Sequence, residues 1–309
     1  MASFLIIGAG AVGAFFGSAL ARSSEPVSVV CRSDYDAVKQ NGFAIRSPLL
    51  GDHTFRPAQV YRSAEEAGAG YDYVVLTTKV LPQTDRAALL RPAVGAASVI
   101  VLIQNGIDIE PEIAAAFPDN ELLSAIAFIA VARAGVGQIV HQSFGSLNLG
   151  CYPRGITPAA QRFAATFKAS GVPCQLTEDV IGARWQKALW NATFNPISIL
   201  GGVLDTAAIL RTAEDQAFVR KAMHEIAAVA AAAGHPITSE LIDKLIAATR
   251  GMPPYKSSMA LDFEHGRPME IEAILGNVVR TAQRLQVAVP TLDALYALAK
   301  MVEGKQMPR

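Results

Sequence analysis

The chain has 309 residues, 51% of them hydrophobic, and Lys+Arg balance Asp+Glu at 27 each. That length fits two domains of ordinary size with substantial cores. The balanced charge excludes the basic face that holds nucleic acid or an anionic membrane surface, so a small molecule is the expected partner.

Three widely spaced cysteines, Cys31, Cys151 and Cys174, contain no CxxC. They argue against a disulfide framework or a thiolate zinc site and point to a reducing compartment, the cytoplasm. The five histidines form no HExxH-type pair, so no metal is expected.

In chain order, the opening "MASFLIIGAGAVGAFFGSALA" could pass for a signal peptide, but it lacks a basic n-region and four glycines interrupt it. "FLIIG" reads as a buried strand, "VGAFFGSALARS" as a helix and "VSVVCR" as a second strand. "YDYVVLTTK" and "SVIVLIQNG" follow as further strands. Continuous apolar strands joined by crossovers mark a parallel sheet covered on both faces. From 122 to about 150 two consecutive strands, "SAIAFIAVARAG" and "GQIVHQSFGSLNLG", suggest an antiparallel extension, and "YPRGITPAAQRFAATFKASGVPCQLTED" adds one helix and one strand.

Beyond about residue 178 no further strand is expected. Alanine-rich helices take over, such as "DQAFVRKAMHEIAAVAAAAG", ended by Gly234 and Pro236. "EIEAILGNVVRTAQRL" sets Ile271, Ile274, Leu275, Val278 and Val279 on one helical stripe. No stretch approaches 18 uninterrupted apolar residues, so no membrane span is read, and the tail "GKQMPR" is expected to fray. The expected class is α/β: an N-terminal Rossmann-type dinucleotide-binding domain, 1–177, and an all-helical C-terminal domain, 178–309.

Gly8-Ala9-Gly10-Ala11-Val12-Gly13 is a GxGxxG. Alone it is weak in alanine-rich sequence, where a simple glycine turn is the competing reading. Its place between a strand and a helix, at the head of an alternating pattern, makes it a dinucleotide site. Gly8 suits the tight turn, Gly10 the approach of the pyrophosphate, and Gly13 the packing of helix on strand. The second strand ends Val30-Cys31-Arg32-Ser33 without a terminal carboxylate. Arg32 therefore suits the 2′-phosphate of NADP (NADPH), although it could be a simple loop cation and Asp34 follows two residues later. Lys79 and Asn105 close two further strands, at the edge where open α/β sheets bind ligands. Either could be a solvated loop residue; together they read as cofactor- and substrate-binding groups.

In "RWQKALWNATFNP", Lys187, Asn191 and Asn195 are spaced by four, so they share one helical face with a drift of about 40° per step. Reduction of a ketone needs a proton for the developing alkoxide and groups to orient the substrate, which an ammonium and two amides can supply. An exposed helix edge is the competing reading, but Trp185, Leu189 and Trp190 leave little room for one. Pro196 is expected to bend or end this helix.

These motifs resemble the ketopantoate reductases (2-dehydropantoate 2-reductases) nearly end to end. The resemblance rests on "GAGAVG", Lys79, "QNG" at 104–106 and "KALWNATFNP". It continues through "SSMALDFEHGRPMEIEAILGNVV", where Ser258 precedes Glu270 by twelve residues, to "VAVPTLDALYALAK". It implies a Rossmann domain and a helical domain with the active cleft between them. It also implies Lys187 as general acid with Glu270 as its partner and holder of the substrate hydroxyl, and Asn191, Asn195 and Ser258 on substrate hydroxyl and carboxylate groups. Lys79 and Asn105 match strand-end residues of that cleft.

The expected reaction is NADPH-dependent reduction of ketopantoate to pantoate in pantothenate biosynthesis. The alternatives are reduction of another branched 2-oxo acid or related carbonyl, and a catalytically silent NADPH-binding sensor. One departure is "ISILGGVLDTAAIL", where the family often carries another asparagine and Asp205 is the polar candidate. The apolar helical half leaves room for a homodimer interface.

Overall fold

The structure, a computed structural model, describes residues 1–306. Contact density divides it into two compact units.

The first unit comprises Met1–Lys79, Thr84–Gln104 and Glu110–Val180. Its ten strands form one sheet: β1 (Phe4–Ile7), β2 (Val27–Val30), β3 (Phe43–Arg46), β4 (His53–Phe55), β5 (Val60–Tyr61), β6 (Tyr73–Leu76), β7 (Val99–Ile103), β8 (Leu122–Gly135), β9 (Gln138–Cys151) and β10 (Cys174–Leu176). The order is β4-β3-β9-β8-β7-β6-β1-β2-β5, with β10 also paired to β9. Pairing is parallel except for β3–β4 and the long β8–β9 hairpin, the antiparallel extension that consecutive strands had implied. The short β3, β4 and β5 were not anticipated.

Helices α1 (Ala11–Arg22), α2 (Tyr35–Asn41), α3 (Ala64–Ala67), α4 (Arg86–Leu90), α5 (Pro111–Ala116) and α6 (Pro158–Ala169) complete the unit. The two-residue period of a strand divides the apolar run of β1 between two cores. Phe4 and Ile6 join Phe15 and Phe16 of α1 and Phe163 and Phe167 of α6, whereas Leu5 and Ile7 join Val74, Leu76, Ile100 and Ile113. The central strands β1, β6 and β7 are covered on both faces, which is why they are apolar throughout, whereas β3, β8 and β9 keep exposed positions.

The second unit comprises Val80–Gln83, Asn105–Ile109 and Ile181–Arg309, of which Met307–Arg309 lie outside the described residues. It is built on α7 (Val180–Leu200), α8 (Thr206–Ile209), α9 (Ala213–Ala232), α10 (Ser239–Gly251), α11 (Ser258–Glu264), α12 (Asn277–Arg284) and α13 (Pro290–Gln306). Its core gathers Trp185, Leu189 and Phe194 of α7 with Met223, Ile226, Ile242 and the predicted stripe Ile271, Ile274, Leu275, Val278 and Val279.

Two expectations meet the structure only in part. Pro196 does not end α7, which continues to Leu200. A proline removes one helical N–H, but the buried Phe194 and Ile199 on either side hold the chain in helix. Of the tail expected to fray, Gly304–Gln306 continue α13, whose Leu295 and Ala299 are buried, and Met307–Arg309 lie outside the described residues. No helix among the described residues is long and apolar enough to cross a membrane.

Between α11 and α12 the chain makes a π-helical turn, Glu272–Gly276. Such a turn releases backbone carbonyls from the regular ladder, and here Ala273 O accepts the N–H of Ile107 at 2.9 Å. Gly106 lies against the same turn: a Cβ on it would sit 2.8 Å from both Ala273 Cβ and Ala273 O, and its φ is +116°. The turn therefore fixes the segment that begins at Asn105.

Candidate active site

The glycine turn runs from β1 into α1. Gly8 has φ +95°, and a Cβ there would meet Thr78 Cγ2 at 2.6 Å and Thr78 N at 2.9 Å. A Cβ on Gly13 would lie 2.5 Å from Thr77 Oγ1 and 2.7 Å from Gly8 O. Both glycines are therefore demanded by the protein's own packing. Gly10 differs: its nearest protein atom would be Gly8 O at 3.9 Å, and the residue is exposed. Nothing in the fold requires glycine at that position, so the open space suits the approach of a pyrophosphate. No side chain caps α1, whose N terminus opens with Ala11, Val12 and Gly13. That is the arrangement in which helical N–H groups meet phosphate.

The turn is tied to its neighbours within the sheet. Ala9 N donates to Val30 O at 3.1 Å, linking it to the end of β2. Thr77 Oγ1 donates to Gly8 O at 2.8 Å, linking it to the end of β6. Beyond β2, Arg32 is exposed, whereas Asp34 is buried at 3% exposure. Asp34 accepts from Ser33, Arg133 and the Gly137 N–H. Lys79 follows Thr77 and Thr78, partly buried.

In the helical unit, Lys187 Nζ donates to Asn105 Oδ1 at 2.7 Å. Burial, with the Arg184 guanidinium adding to it and the Glu270 carboxylate opposing, brings the Lys187 ammonium down to about 7. Arg184 is 4% exposed and donates to Gly106 O at 3.2 Å, so it steadies the Asn105–Gly106 segment as well. Glu270, 9% exposed, accepts the Val80 N–H at 2.9 Å. It stands just before the helix that starts at Ile271, and its carbonyl accepts the Ile274 N–H at 3.0 Å. Glu272 is engaged elsewhere, by Arg280 at 2.7 Å, Lys300 at 2.8 Å and the Tyr296 hydroxyl at 2.9 Å.

Asn195 is 1% exposed, and neither its Oδ1 nor its Nδ2 has a hydrogen-bond partner within the protein. A buried amide left so costs about 1–3 kcal/mol for each unmet group, so it calls for a partner beyond the protein's own atoms, a water or a ligand. Asn191, one turn earlier, is partly buried. Ser258 is exposed at the first position of α11, while Ser257 caps that helix through the Ala260 N–H at 3.2 Å. Asp205 is the N-cap of α8, accepting from Ala208 N at 2.8 Å, which gives this departure a structural role. No cluster of three or more His, Cys, Asp or Glu side chains that could hold a metal ion occurs among the described residues.

Two family models cover most of the chain: Ketopantoate reductase PanE/ApbA matches residues 4–154, and its C-terminal counterpart matches residues 179–303. The chain belongs to the ketopantoate reductase family. By that membership it is an oxidoreductase. A 2-dehydropantoate 2-reductase of Nostoc sp. is 30% identical over 307 residues, covering 98% of this chain and 95% of the relative. The crystal structure of 2-dehydropantoate 2-reductase from Methylococcus capsulatus superposes with a TM-score of 0.94 at 52% identity, covering 99% of this chain and 98% of that one. More distant structures share the fold alone. One is D-mandelate dehydrogenase with NADH and anilino(oxo)acetate, with TM-score 0.89, 22% identity and coverage of 98% and 99%. Another is a Staphylococcus aureus ketopantoate reductase described as dimeric, with TM-score 0.81, 21% identity and coverage of 99% and 100%.

Several residues that shape these sites had escaped sequence reasoning. Thr77 and Thr78 latch the glycine turn. Arg184 lies one turn before Lys187. Gln104, buried, donates to Thr78 O at 2.6 Å and accepts from the buried Arg86 at 3.2 Å. The signal available was positional: Thr77-Thr78 immediately precede Lys79, and Gln104 immediately precedes Asn105.

Proposed function

We propose that the protein is an NADPH-dependent 2-dehydropantoate 2-reductase, reducing ketopantoate to pantoate for pantothenate biosynthesis in the cytoplasm. The observation that carries this reading is the Lys187 ammonium, brought down to about 7 by burial and held by Asn105. A general acid is most effective when its pKa lies near the working pH.

In this reading residues 1–177 hold the cofactor and residues 178–309 supply the substrate and proton-donor groups. Gly8 to Gly13 receive the pyrophosphate, Arg32 the 2′-phosphate, and Lys79 and Asn105 line the nicotinamide end. When bound, NADPH supplies the hydride. Lys187 donates the proton to the developing alkoxide oxygen and stabilises its charge meanwhile. Glu270 accepts from the substrate hydroxyl and favours the charged form of Lys187. Asn195, with both amide atoms unmet in the protein, bonds the substrate together with Asn191 and Ser258.

The test is NADPH oxidation with a panel of 2-oxo acids. Ketopantoate turnover far above the rest is expected. A different branched 2-oxo acid winning would reassign the substrate on the same scaffold, and cofactor binding without turnover would make the chain a sensor.

A further inference from the structure

The loop after β2 holds a carboxylate where the cofactor reading wants none. In dinucleotide-binding folds an acidic residue near the end of the second strand binds the ribose 2′-hydroxyl and repels a 2′-phosphate. Asp34 lies four residues beyond Val30, the residue whose carbonyl accepts the glycine turn's Ala9 N–H at 3.1 Å. Yet Asp34 is only 3% exposed, turned away from solvent and into the β8–β9 hairpin.

The hairpin holds it by two direct bonds and by a third through Ser33. Arg133 Nη2 donates to Asp34 Oδ1, and the Gly137 N–H donates to Oδ2 at 2.9 Å. Arg133 Nη1 also donates to Ser33 Oγ at 3.2 Å, and that hydroxyl donates to Asp34 Oδ1 at 2.9 Å. The pairing register of β8 with β9 shifts between Arg133 and Gly135, an irregularity of the kind that re-aims a side chain. Arg133 Nε donates back to Gly135 O at 3.2 Å, holding the guanidinium across the irregular stretch. The Arg133 side chain stays 40% exposed while the carboxylate it pairs is buried. The loop thus exposes Arg32 beside the open edge of Arg133 from β8 and buries Asp34, while the exposed Asp36 that follows is paired with Arg62 at 2.8 Å.

We propose that Arg133 is a positioning residue for dinucleotide selectivity, withdrawing the Asp34 carboxylate from the ribose site so that a 2′-phosphate is accepted beside Arg32. The inference rests on the NADPH reading above and adds to it a residue about 120 positions from the glycine motif.

The experiment is titration of NADPH and NADH into the full-length chain and its variants, with thermal melting alongside. The wild type should bind NADPH the more tightly. Arg133→Gln should weaken NADPH by about 10–100-fold, chiefly through the released carboxylate, and leave NADH within about threefold. Arg133→Lys, which keeps the charge, should preserve the preference. The double variant R133Q/D34N should recover most of the lost NADPH affinity, because a neutral amide then replaces the carboxylate. A purely structural role predicts equal losses for both cofactors and no recovery, and either result overturns the proposal. An unchanged NADPH/NADH ratio in R133Q, with the wild-type preference intact, sinks this inference alone. A wild type that prefers NADH removes the cofactor reading and this inference with it.

Discussion

At Lys187 two neighbours act in opposite senses. The Arg184 guanidinium, three residues earlier on α7, disfavours the ammonium, the Glu270 carboxylate favours it, and burial carries the pKa down to about 7. In its proposed role as acid, Lys187 must carry its proton for reduction, a state present below about 7 and lost above it. The rate of ketopantoate reduction should therefore fall as pH rises through about 7, and pantoate oxidation should rise over the same interval. Glu270→Gln removes the influence that holds the ammonium charged, so its limb should move to lower pH. Lys187→Ala should lower kcat by about 10²–10⁴-fold and abolish the limb. Steady-state pH profiles of the three proteins decide it; the same limb surviving in Lys187→Ala would assign the titration to another group. The spacing of Lys187, Asn191 and Asn195 was legible because a helix repeats locally. The Lys187–Asn105 bond was not, because it joins residues 82 positions apart.

At the scale of elements, the glycine turn separates what the fold needs from what a ligand needs. Gly13→Ala would drive a Cβ to 2.5 Å from Thr77 Oγ1 and 2.7 Å from the Gly8 carbonyl, and backbone cannot yield as a flexible side chain does. A loss of about 1–3 kcal/mol is expected from such overpacking. Gly10→Ala meets only Gly8 O, at 3.9 Å, so its stability should stay within about 1 kcal/mol of wild type. NADPH affinity should nonetheless fall at least about tenfold in Gly10→Ala, since the methyl occupies the approach of the pyrophosphate. Chemical denaturation and cofactor titration of the two variants test this together, and native NADPH binding by Gly10→Ala would remove the phosphates from that position. The parallel core strands were readable because burial on both faces makes them apolar throughout. β3, β4 and β5 were not, being only two to four residues long, with β3 alternating buried and exposed. The π-helical turn also escaped: its stripe Ile271, Ile274, Leu275, Val278 and Val279 is compatible with an unbroken α-helix. What distinguishes it is the contact of Ala273 with Gly106 and Ile107, which no local pattern encodes.

Over the whole molecule, the two units carry different parts of the proposed chemistry on separate cores. The groups assigned to phosphate recognition, Gly8 to Gly13 and Arg32, belong to the sheet unit. Lys187, Asn191, Asn195, Ser258 and Glu270 belong to the helical unit, together with Val80 and Asn105, which follow the ends of β6 and β7 in the chain. Segments 80–83 and 105–109 bring those two residues to Glu270 and Lys187 within one unit, so Lys187 is anchored without any contribution from the glycine turn. Binding and chemistry should accordingly come apart under mutation. A ligand at a hundred times its Kd stabilises the state that binds it by about 2.7 kcal/mol, which raises the thermal midpoint. Lys187→Ala should keep the NADPH-induced rise while losing turnover. Arg32→Ala should lose about 1.5–3 kcal/mol of NADPH binding, and hence most of that rise at fixed concentration, yet respond to NADH as the wild type does. Differential scanning fluorimetry of the three proteins with each cofactor is the measurement. Equal losses for NADPH and NADH in Arg32→Ala would dismiss the 2′-phosphate contact, and a vanished NADPH response in Lys187→Ala would mean that Lys187 itself is needed to hold the cofactor.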